Sequence, residues 1–492
     1  MNIADGGSSR ACRQGQEVAL EQVVVVAERG TPGRRGQKRT RVRVNVLALS
    51  PSWEDRGHRC WAVRVGARDA WSQRQAGKGA LVAVRVAELF QSVIGPDTSV
   101  RVTAYDGSEV GPGDSPLAMR IRTPRALAYL ASAPGSLGLA RAYVSGDLEI
   151  DGEMSPMLRE LAEVTLHSIP KDQRFRLIRS LLGFRLLNRA PIPAVEHRPR
   201  GRLHSKRRDA NVISHHYDVS NRFYSWVLGR SMAYTCAVYP NEQATLEEAQ
   251  WTKHELVARK LGLRPGMRLL DVGCGWGAMV MHAAEHGVKA LGVTLSRQQA
   301  EWAHKEIVER GLTELAEVRY LDYRDVPETD FDAISSIGLT EHIGEAQLPA
   351  YFATLYRKLK PGARLLNHCI TLPGPDSPKD VDPFIDRYVF PDGQLYDVGR
   401  LIGEMNRQGF EARHEENLRE HYARTLSDWC TNLDEHWDEA AREVGEQRAR
   451  VWRLYMAACV VGFERNNIQL HQLLGVKLGQ HGESHMPLRP NW

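Results

Sequence analysis

The sequence predicts an α/β chain built on a parallel, doubly wound sheet, with a smaller α+β unit ahead of it. Three observations predict this. From about Val212, short apolar runs alternate with helical periods: RLLDVG, AMVMHAAEHG, KALGVTLS, RQQAEWAHKEIVERG. Strands that alternate with helices need crossover connections, and these make neighbouring strands parallel. The first of these strands runs into three glycines at alternate positions, Gly273, Gly275 and Gly277, where a helix begins. Residues 82–190, by contrast, read as short helices and hairpin-like alternation.

At 492 residues the chain exceeds one compact core, and two or three domains are expected. Its 42% hydrophobic and 25% charged residues are an ordinary globular balance. No apolar run approaches the ~18 residues needed to span a bilayer. VVVVA at Val23–Ala27 is too short and badly flanked to be a signal peptide, and an odd, unspaced set of cysteines argues for a reducing cytoplasm. The seven cysteines are scattered, which argues against a disulfide framework or a zinc site, and no metal is expected. The net charge of +5 is uneven, since residues 1–80 carry fifteen Lys/Arg against seven Asp/Glu.

Residues 1–80 show no sustained period and read as a basic, poorly ordered extension; whether they belong to the native chain is a matter for N-terminal sequencing. The unit at 81–190 follows. VAVRVAELFQSVIG reads as a helix ending at a glycine, and SVRVTAYDGSEVGP as a hairpin turning at Asp106-Gly107. Residues 191–211 are rich in Pro and Arg, without hydrophobic period, and read as a linker. Its cluster of Arg198, Arg200, Arg202, Lys206, Arg207 and Arg208 fits either plain solvation or contact with phosphate on a membrane. Residues 212–480 form the sheet domain: EVRYLDY, FDAISSIG and ARLLNHCITL read as further strands, and Leu401 to Leu478 as mostly helical.

A glycine-rich strand–helix turn lets a ligand approach the backbone and meet unpaired helix N–H groups. The spacing here is G-x-G-x-G, not the dinucleotide G-x-G-x-x-G, and the second strand ends at Val293-Thr294 with no acid. Both points weigh against NAD. With Asp271 two residues ahead of the first glycine, the loop resembles the first motif of class I methyltransferases, which bind S-adenosylmethionine. The resemblance widens in HYDVSNRFYSWVLGRSMAYTCAVYP, GVTLSRQQ, GLTEHIG, LLNHCIT, FPDGQL, EHYARTLSDW and YMAACVVGFERNNIQLHQ. In this order the segments are similar to the cyclopropane-fatty-acyl-phospholipid synthase family, which includes the mycolic acid methyltransferases. That resemblance implies a Rossmann-like class I methyltransferase domain behind a smaller N-terminal α+β domain.

It also implies a reaction. A sulfonium methyl is added to the cis double bond of an unsaturated acyl chain, and the resulting carbocation loses a proton. The family's base is a bicarbonate ion, and the positions that would hold it match Cys236 in AYTCAVY, Glu341 in GLTEHIG, His368 and Ile370 in NHCIT, and Tyr422 in EHYART. Taken singly, Cys236, His368 and Tyr422 would read as packed core residues; the shared order makes them a site. Cys459 in MAACVVGF matches a further family cysteine, though its apolar surroundings favour packing. For S-adenosylmethionine the carry-over falls on Tyr234 and Thr235, on the loop Leu269, Leu270, Asp271, Val272, Gly273, Cys274, Gly275, Trp276 and Gly277, on Thr294, Leu295, Ser296, Arg297, Gln298 and Gln299, and on Tyr323 and Arg324. Relatives often carry tryptophan and an acid at the last pair, where this chain has Tyr323 and Arg324.

Leu339-Thr340 departs from the Met- or Ala-Phe pair common in cyclopropane synthases. A polar Thr340 beside the cation is expected to redirect proton loss, towards a cyclopropane or an exocyclic methylene, the precursor of tuberculostearic acid. The expected partner is an unsaturated phospholipid in an anionic membrane, met at the inner face; no nucleic acid is expected. A homo-oligomer stays open, as does a reductase partner for a methylene product. The competing readings are a non-catalytic S-adenosylmethionine- or lipid-binding protein and an NAD oxidoreductase.

Overall fold

The computed structural model describes residues 85–95, 98–133, 135–162, 190–196, 220–378, 381–391 and 393–492. The basic extension at 1–80 and the Arg/Lys cluster from Arg198 to Arg208 lie outside the described residues.

The first described unit is a four-stranded sheet with helices. Helix α1 (Val86–Ile94) ends at Gly95, where the chain turns at φ 97°, as the sequence suggests. Strands β1 (Arg101–Ala104) and β2 (Glu109–Val110) form the hairpin over Asp106-Gly107. Strand β3 (Ala118–Ile121) lies parallel to β1, helices α2 (Pro124–Ser132) and α3 (Ser136–Val144) follow, and β4 (Leu148–Asp151) returns antiparallel to β3 before α4 (Met154–Ala162). Thr123 caps α2 through its side chain and Pro124 starts it, both favoured at a helix N-terminus.

The large sheet is built as the alternating pattern requires. After α5 (Asn221–Leu228) and α6 (Leu246–Leu261), β5 (Arg268–Val272) passes through the glycine loop to α7 (Ala278–Glu285), β6 (Lys289–Thr294) to α8 (Arg297–Glu309), and β7 (Ala316–Tyr320) to β8 (Phe331–Ile337). Helix α9 (Leu348–Lys358) leads into the long β9 (Leu359–Leu372). Strands β5 to β9 are mutually parallel. Beyond them come α10 (Pro383–Tyr388), the short β10 (Tyr396–Asp397) beside β9, α11 (Val398–Arg407), β11 (Phe410–Asn417), helices α12 (Arg419–Glu435), α13 (Trp437–Val444) and α14 (Glu446–Glu464), and β12 (Gln469–Lys477). The order across the sheet is β11-β12-β9-β8-β5-β6-β7, with β12 antiparallel to both neighbours. Order reverses between β5 and β8, and such a switch point opens a crevice at the strands' C-terminal ends.

The tail is mostly helical but contains two long strands that its helical reading misses. β12 is buried along nearly its whole length, so QLHQLLGVK has no polar face to alternate with. β11 is an edge strand rich in charge, FEARHEEN, whose pattern reads as readily as an exposed helix.

Candidate active site

The glycine loop sits at the switch point. Gly273, Gly275 and Gly277 all have positive φ, at 74°, 54° and 82°. They differ in purpose. A Cβ on Gly275 would meet no protein atom within 4 Å, so this position faces open space, whereas one on Gly277 would press on Ala303 and Val318 at 3.3 Å. Gly277 therefore serves helix–sheet packing. Leu269, Leu270 and Val272 are fully buried in the sheet core, and Asp271 alone of that strand reaches the crevice.

A narrow cavity of about 130 Å³ lies over the loop. Tyr234, Thr235, Asp271, Gly273, Cys274, Gly275, Trp276, Thr294, Leu295, Gln299, Tyr323 and Arg324, all positions that the resemblance assigns to the cofactor, line it. Ser296, Arg297 and Gln298 do not. Ser296 caps α8 by accepting from the Gln299 amide, Arg297 lies 4.9 Å over the Tyr320 ring, and the Gln298 carbonyl accepts from Asn221. Thr294 Oγ1 donates to Gln299 Oε1 at 2.7 Å, and Tyr323 and Arg324 occupy a single turn capped by Asp322.

Two titratable groups meet on this cavity. Asp271 accepts from Ser335 Oγ at 2.6 Å, yet burial pushes its pKa up to about 6. Lys253 is buried with its Nζ 2.9 Å from Thr235 Oγ1, and burial brings it down to about 7, partly offset by Cys236 and Asp271. Lys253 is a residue the sequence reading missed. The signal was present in TLEEAQWTKHELVARKL: Ala249, Gln250, Lys253, His254, Val257, Lys260 and Leu261 are the buried stripe of α6, so polar groups stand where the helical period demands apolar ones.

A second, larger cavity of about 740 Å³ opens beside the first. Its walls are largely apolar, with Leu139, Ala140 and Leu158 of the N-terminal unit facing Ile385, Phe390, Leu454 and Ile468. Cys236, Glu341, His368, Ile370, Tyr422 and Cys459 all line it, so the structure brings the six sequence-predicted residues together. The two cavities share Tyr234, Thr235, Gly338 and His342 as common wall. Tyr234 stacks on Trp429 with ring centroids 5.3 Å apart, which fixes the partition.

The polar groups of this wall are few, and two are left open. Glu341 Oε1 accepts from the Ile370 amide at 2.7 Å, while its buried Oε2 has no hydrogen-bond partner. The Ile370 N–H, expected to face an anion, is thus engaged by Glu341. Burial raises the Glu341 pKa to about 7. His368 is fully buried on β9 directly opposite Gln472 on β12, which in turn lies opposite Glu416 on β11. Lys260 bridges this row, pairing with Glu416 and donating to Gln472 Oε1 at 2.8 Å. An ammonium only donates, so the Gln472 amide nitrogen must point the other way, towards His368 Nδ1 at 3.2 Å. Nδ1 is then the acceptor, and the neutral ring carries its hydrogen on Nε2. That Nε2 is buried and unpartnered, and burial together with Lys253 and Lys260 holds the ring well below the ordinary histidine pKa.

Neither cysteine is activated. Burial pushes Cys236 far up and Cys459 up to about 12, which keeps both as thiols. Thr340 does not stand beside the cavity. Its hydroxyl turns into the interior and donates to Asn367 Oδ1 at 2.8 Å, one residue from His368, because it opens a single helical turn packed against β9. The expectation that its side chain steers proton loss is corrected accordingly; Leu339 is the member of that pair that reaches the glycine-loop cavity.

Comparison with known proteins agrees with this architecture. Residues 204–473 match the model of the family described as mycolic acid cyclopropane synthetase. A relative named "Probable fatty acid methyltransferase", from Mycobacterium tuberculosis, is 52% identical over 84% of this chain and 99% of its own length. The cyclopropane-fatty-acyl-phospholipid synthase of Escherichia coli is 33% identical over 74% of this chain and 88% of its own. Among solved structures, the cyclopropane synthase MmaA2 of Mycobacterium tuberculosis superposes with a TM-score of 0.52 at 33% identity, covering 56% of this chain and all of that one. The glycine loop at the sheet's switch point, the paired cavities and these matches agree: the chain belongs to the mycolic acid cyclopropane synthetase family, and it is an S-adenosylmethionine-dependent methyltransferase of that family.

Proposed function

We propose that the chain methylates the cis double bond of an unsaturated acyl chain of a phospholipid, with loss of a proton from the resulting carbocation. The observation that carries this reading is the pair of adjoining cavities: one frames the glycine loop, and the other is largely apolar with the buried Glu341 and His368 on its wall. An alkene offers no lone pair, so its methylation leaves a cation that a water molecule would trap. Apolar walls exclude that water. The aromatic rings of Tyr234, Tyr422 and Tyr455 along the same wall suit a cation.

Proton removal needs a base within reach. The open atoms fit bicarbonate: His368 Nε2–H is a buried donor and Glu341 Oε2 a buried acceptor, and an ion that both donates and accepts satisfies the two together. S-adenosylmethionine supplies the methyl group, and bicarbonate supplies the basic oxygen. His368 orients that anion through a hydrogen held on Nε2. Glu341, with a pKa near 7, is poised to hold or release the proton near neutral pH. Tyr422 closes the wall of the cavity, while Cys236 and Cys459 act as uncharged lining.

No helix among the described residues is long and apolar enough to cross a membrane. On this reading the lipid is met at the bilayer surface, with the Arg/Lys cluster of 198–208 as the contact to anionic headgroups. Liposome binding that ignores both salt and lipid charge would overturn that part. The main test is incubation with oleoyl phospholipid vesicles and S-adenosylmethionine, with products resolved by mass spectrometry and NMR. A cyclopropane or an exocyclic methylene supports the reading, and the two are told apart by their proton shifts. A methyl group on the headgroup, or none on the lipid, refutes it.

A further inference from the structure

We infer that Glu255, His282 and His286 form a binding site for a divalent late transition ion of the zinc type, outside both cavities. The site is made by helices α6 and α7, which pack side by side. His282 and His286 stand four residues apart and so share one face of α7 and its C-terminal turn. Glu255 faces them from α6.

The distances are those of a ligand set waiting for an ion. His282 Nε2 lies 3.5 Å and His286 Nε2 3.9 Å from Glu255 Oε2, and the three ligand atoms fall within 4.8 Å of one another. A tetrahedral ion with ligand bonds of about 2.1 Å separates its ligands by about 3.4 Å. Side-chain shifts of an ångström or less would bring the three into place. A nitrogen–nitrogen–oxygen set suits zinc and its neighbours better than calcium or magnesium, which take oxygen shells.

The outer contacts prepare each ligand. His286 Nδ1 lies 2.8 Å from the His282 carbonyl, which can only accept, so the hydrogen sits on Nδ1 and the Nε2 lone pair is free. Glu255 Oε1 accepts from Arg259 Nε at 2.7 Å, which leaves Oε2 turned to the histidines. This arrangement, in which the distal ring N–H meets a carbonyl and the distal carboxylate oxygen a donor, is how ligands are commonly oriented around a bound ion. His282 supplies an independent pointer. It is only 5% exposed, and its Nε2 is a buried polar atom with no hydrogen-bond partner, aimed at Glu255 across a gap too long for a good hydrogen bond. Trp251 meets the His282 ring edge-on at 5.9 Å and steadies it, while the exposed His286 leaves one side open for the ion to enter with water as its remaining ligand.

Bound there, the ion would tie α6 to α7. Lys253 projects from α6 into the glycine-loop cavity two residues before Glu255, and α7 starts immediately after Gly277, so the clamp joins the two helices that frame that cavity. The test uses the full chain, stripped with a chelator and desalted, and titrated with Zn²⁺ by calorimetry and with Co²⁺ by visible absorption. Other histidines and cysteines give background binding, so the wild type is compared with His286→Ala, Glu255→Gln and His282→Ala. The exposed His286→Ala change keeps the result readable if the buried variant fails to fold. One equivalent of Zn²⁺ that is at least ~10-fold weaker in His286→Ala and Glu255→Gln, raises the melting temperature of the wild type only, and gives a tetrahedral Co²⁺ spectrum supports the site. Equal binding by wild type and variants, or no binding at 100-micromolar-scale Zn²⁺, overturns it.

Discussion

Replacing Glu341 by glutamine separates the cost of burying this carboxyl from its use. The amide keeps an oxygen for the Ile370 N–H, which now sits 2.7 Å from Oε1, and puts an NH₂ where the unpartnered Oε2 stands. Shape is preserved, but the acceptor and the ability to carry a proton are lost. Removing an acid–base group commonly lowers turnover by ~10² or more, about 2.7 kcal/mol of barrier. Stability should move the other way. Burial raises the Glu341 pKa from its ordinary 4.5 to about 7 in the folded state. Below the unfolded-state value both states hold the proton, and the substitution is nearly neutral. As pH rises, the unfolded chain ionises first, and the native state loses relative stability until it too ionises near pH 7. Beyond that the penalty is constant, about 3 kcal/mol for the full shift. Glutamine carries no such penalty. Urea titrations should therefore show Glu341→Gln more stable than wild type by up to ~3 kcal/mol at pH 8, shrinking to under ~1 kcal/mol at pH 5. Methyl transfer from labelled S-adenosylmethionine to unsaturated phospholipid should fall by ~10² in the same protein. Near-normal turnover would refute the placement of the proton-handling site. A stability difference that ignores pH would refute the buried-carboxyl argument even if turnover fell.

Gly275→Val should abolish S-adenosylmethionine binding by calorimetry, since a side chain there meets only the open cavity; the residue's φ of 54° adds a strain of about 1–2 kcal/mol that should leave the sheet folded by circular dichroism. Gln472→Leu removes the group that assigns the His368 hydrogen, so ¹⁵N NMR should show mixed tautomers in place of Nε2–H, with turnover down by about tenfold and cofactor affinity unchanged. Affinity for the cationic cofactor should rise from pH 5.5 to 8, because Asp271 gains its charge near pH 6 and Lys253 loses its own near pH 7; Lys253→Met should flatten the upper half of that rise, and a profile unaltered by the substitution would remove Lys253 from the account.

The sheet domain was legible because its signals are local. A strand, three glycines and a helix within nineteen residues carry their own geometry, and the hairpin at Asp106-Gly107 is equally self-contained. The family resemblance then brought Glu341, His368 and Tyr422 together, although they come from a turn after β8, from β9 and from α12. Position in a shared order could not say which way a side chain points. Thr340 and Leu339 are neighbours, yet the 3-10 turn sends the threonine to Asn367 and the leucine to the cavity. Nor could it separate Gly277, which packs on Ala303, from Gly275, which faces open space.

What stayed hidden is the support of the site, and it stayed hidden because it runs across the sheet. Glu416, Gln472 and His368 are far apart in the chain and lie side by side only through the pairing of β11, β12 and β9. Lys260 reaches that row from α6, a helix whose buried stripe also delivers Lys253 to the other cavity. One helix thus carries one buried ammonium group to the glycine-loop cavity and another to the Glu416–Gln472–His368 row, whose His368 lines the second cavity. Both carry a desolvation cost that lowers their pKa; Lys260 offsets part of it by pairing with Glu416, and Lys253 through the nearby charge of Asp271. A core built for stability alone would place leucines at both positions, since replacing a buried ionic group with apolar packing is often neutral or stabilising. Their retention in the buried stripe makes sense if each orients a group that matters to the reaction: Lys260 the tautomer of His368 through Gln472, and Lys253 the hydroxyl of Thr235 on the wall where the two cavities meet.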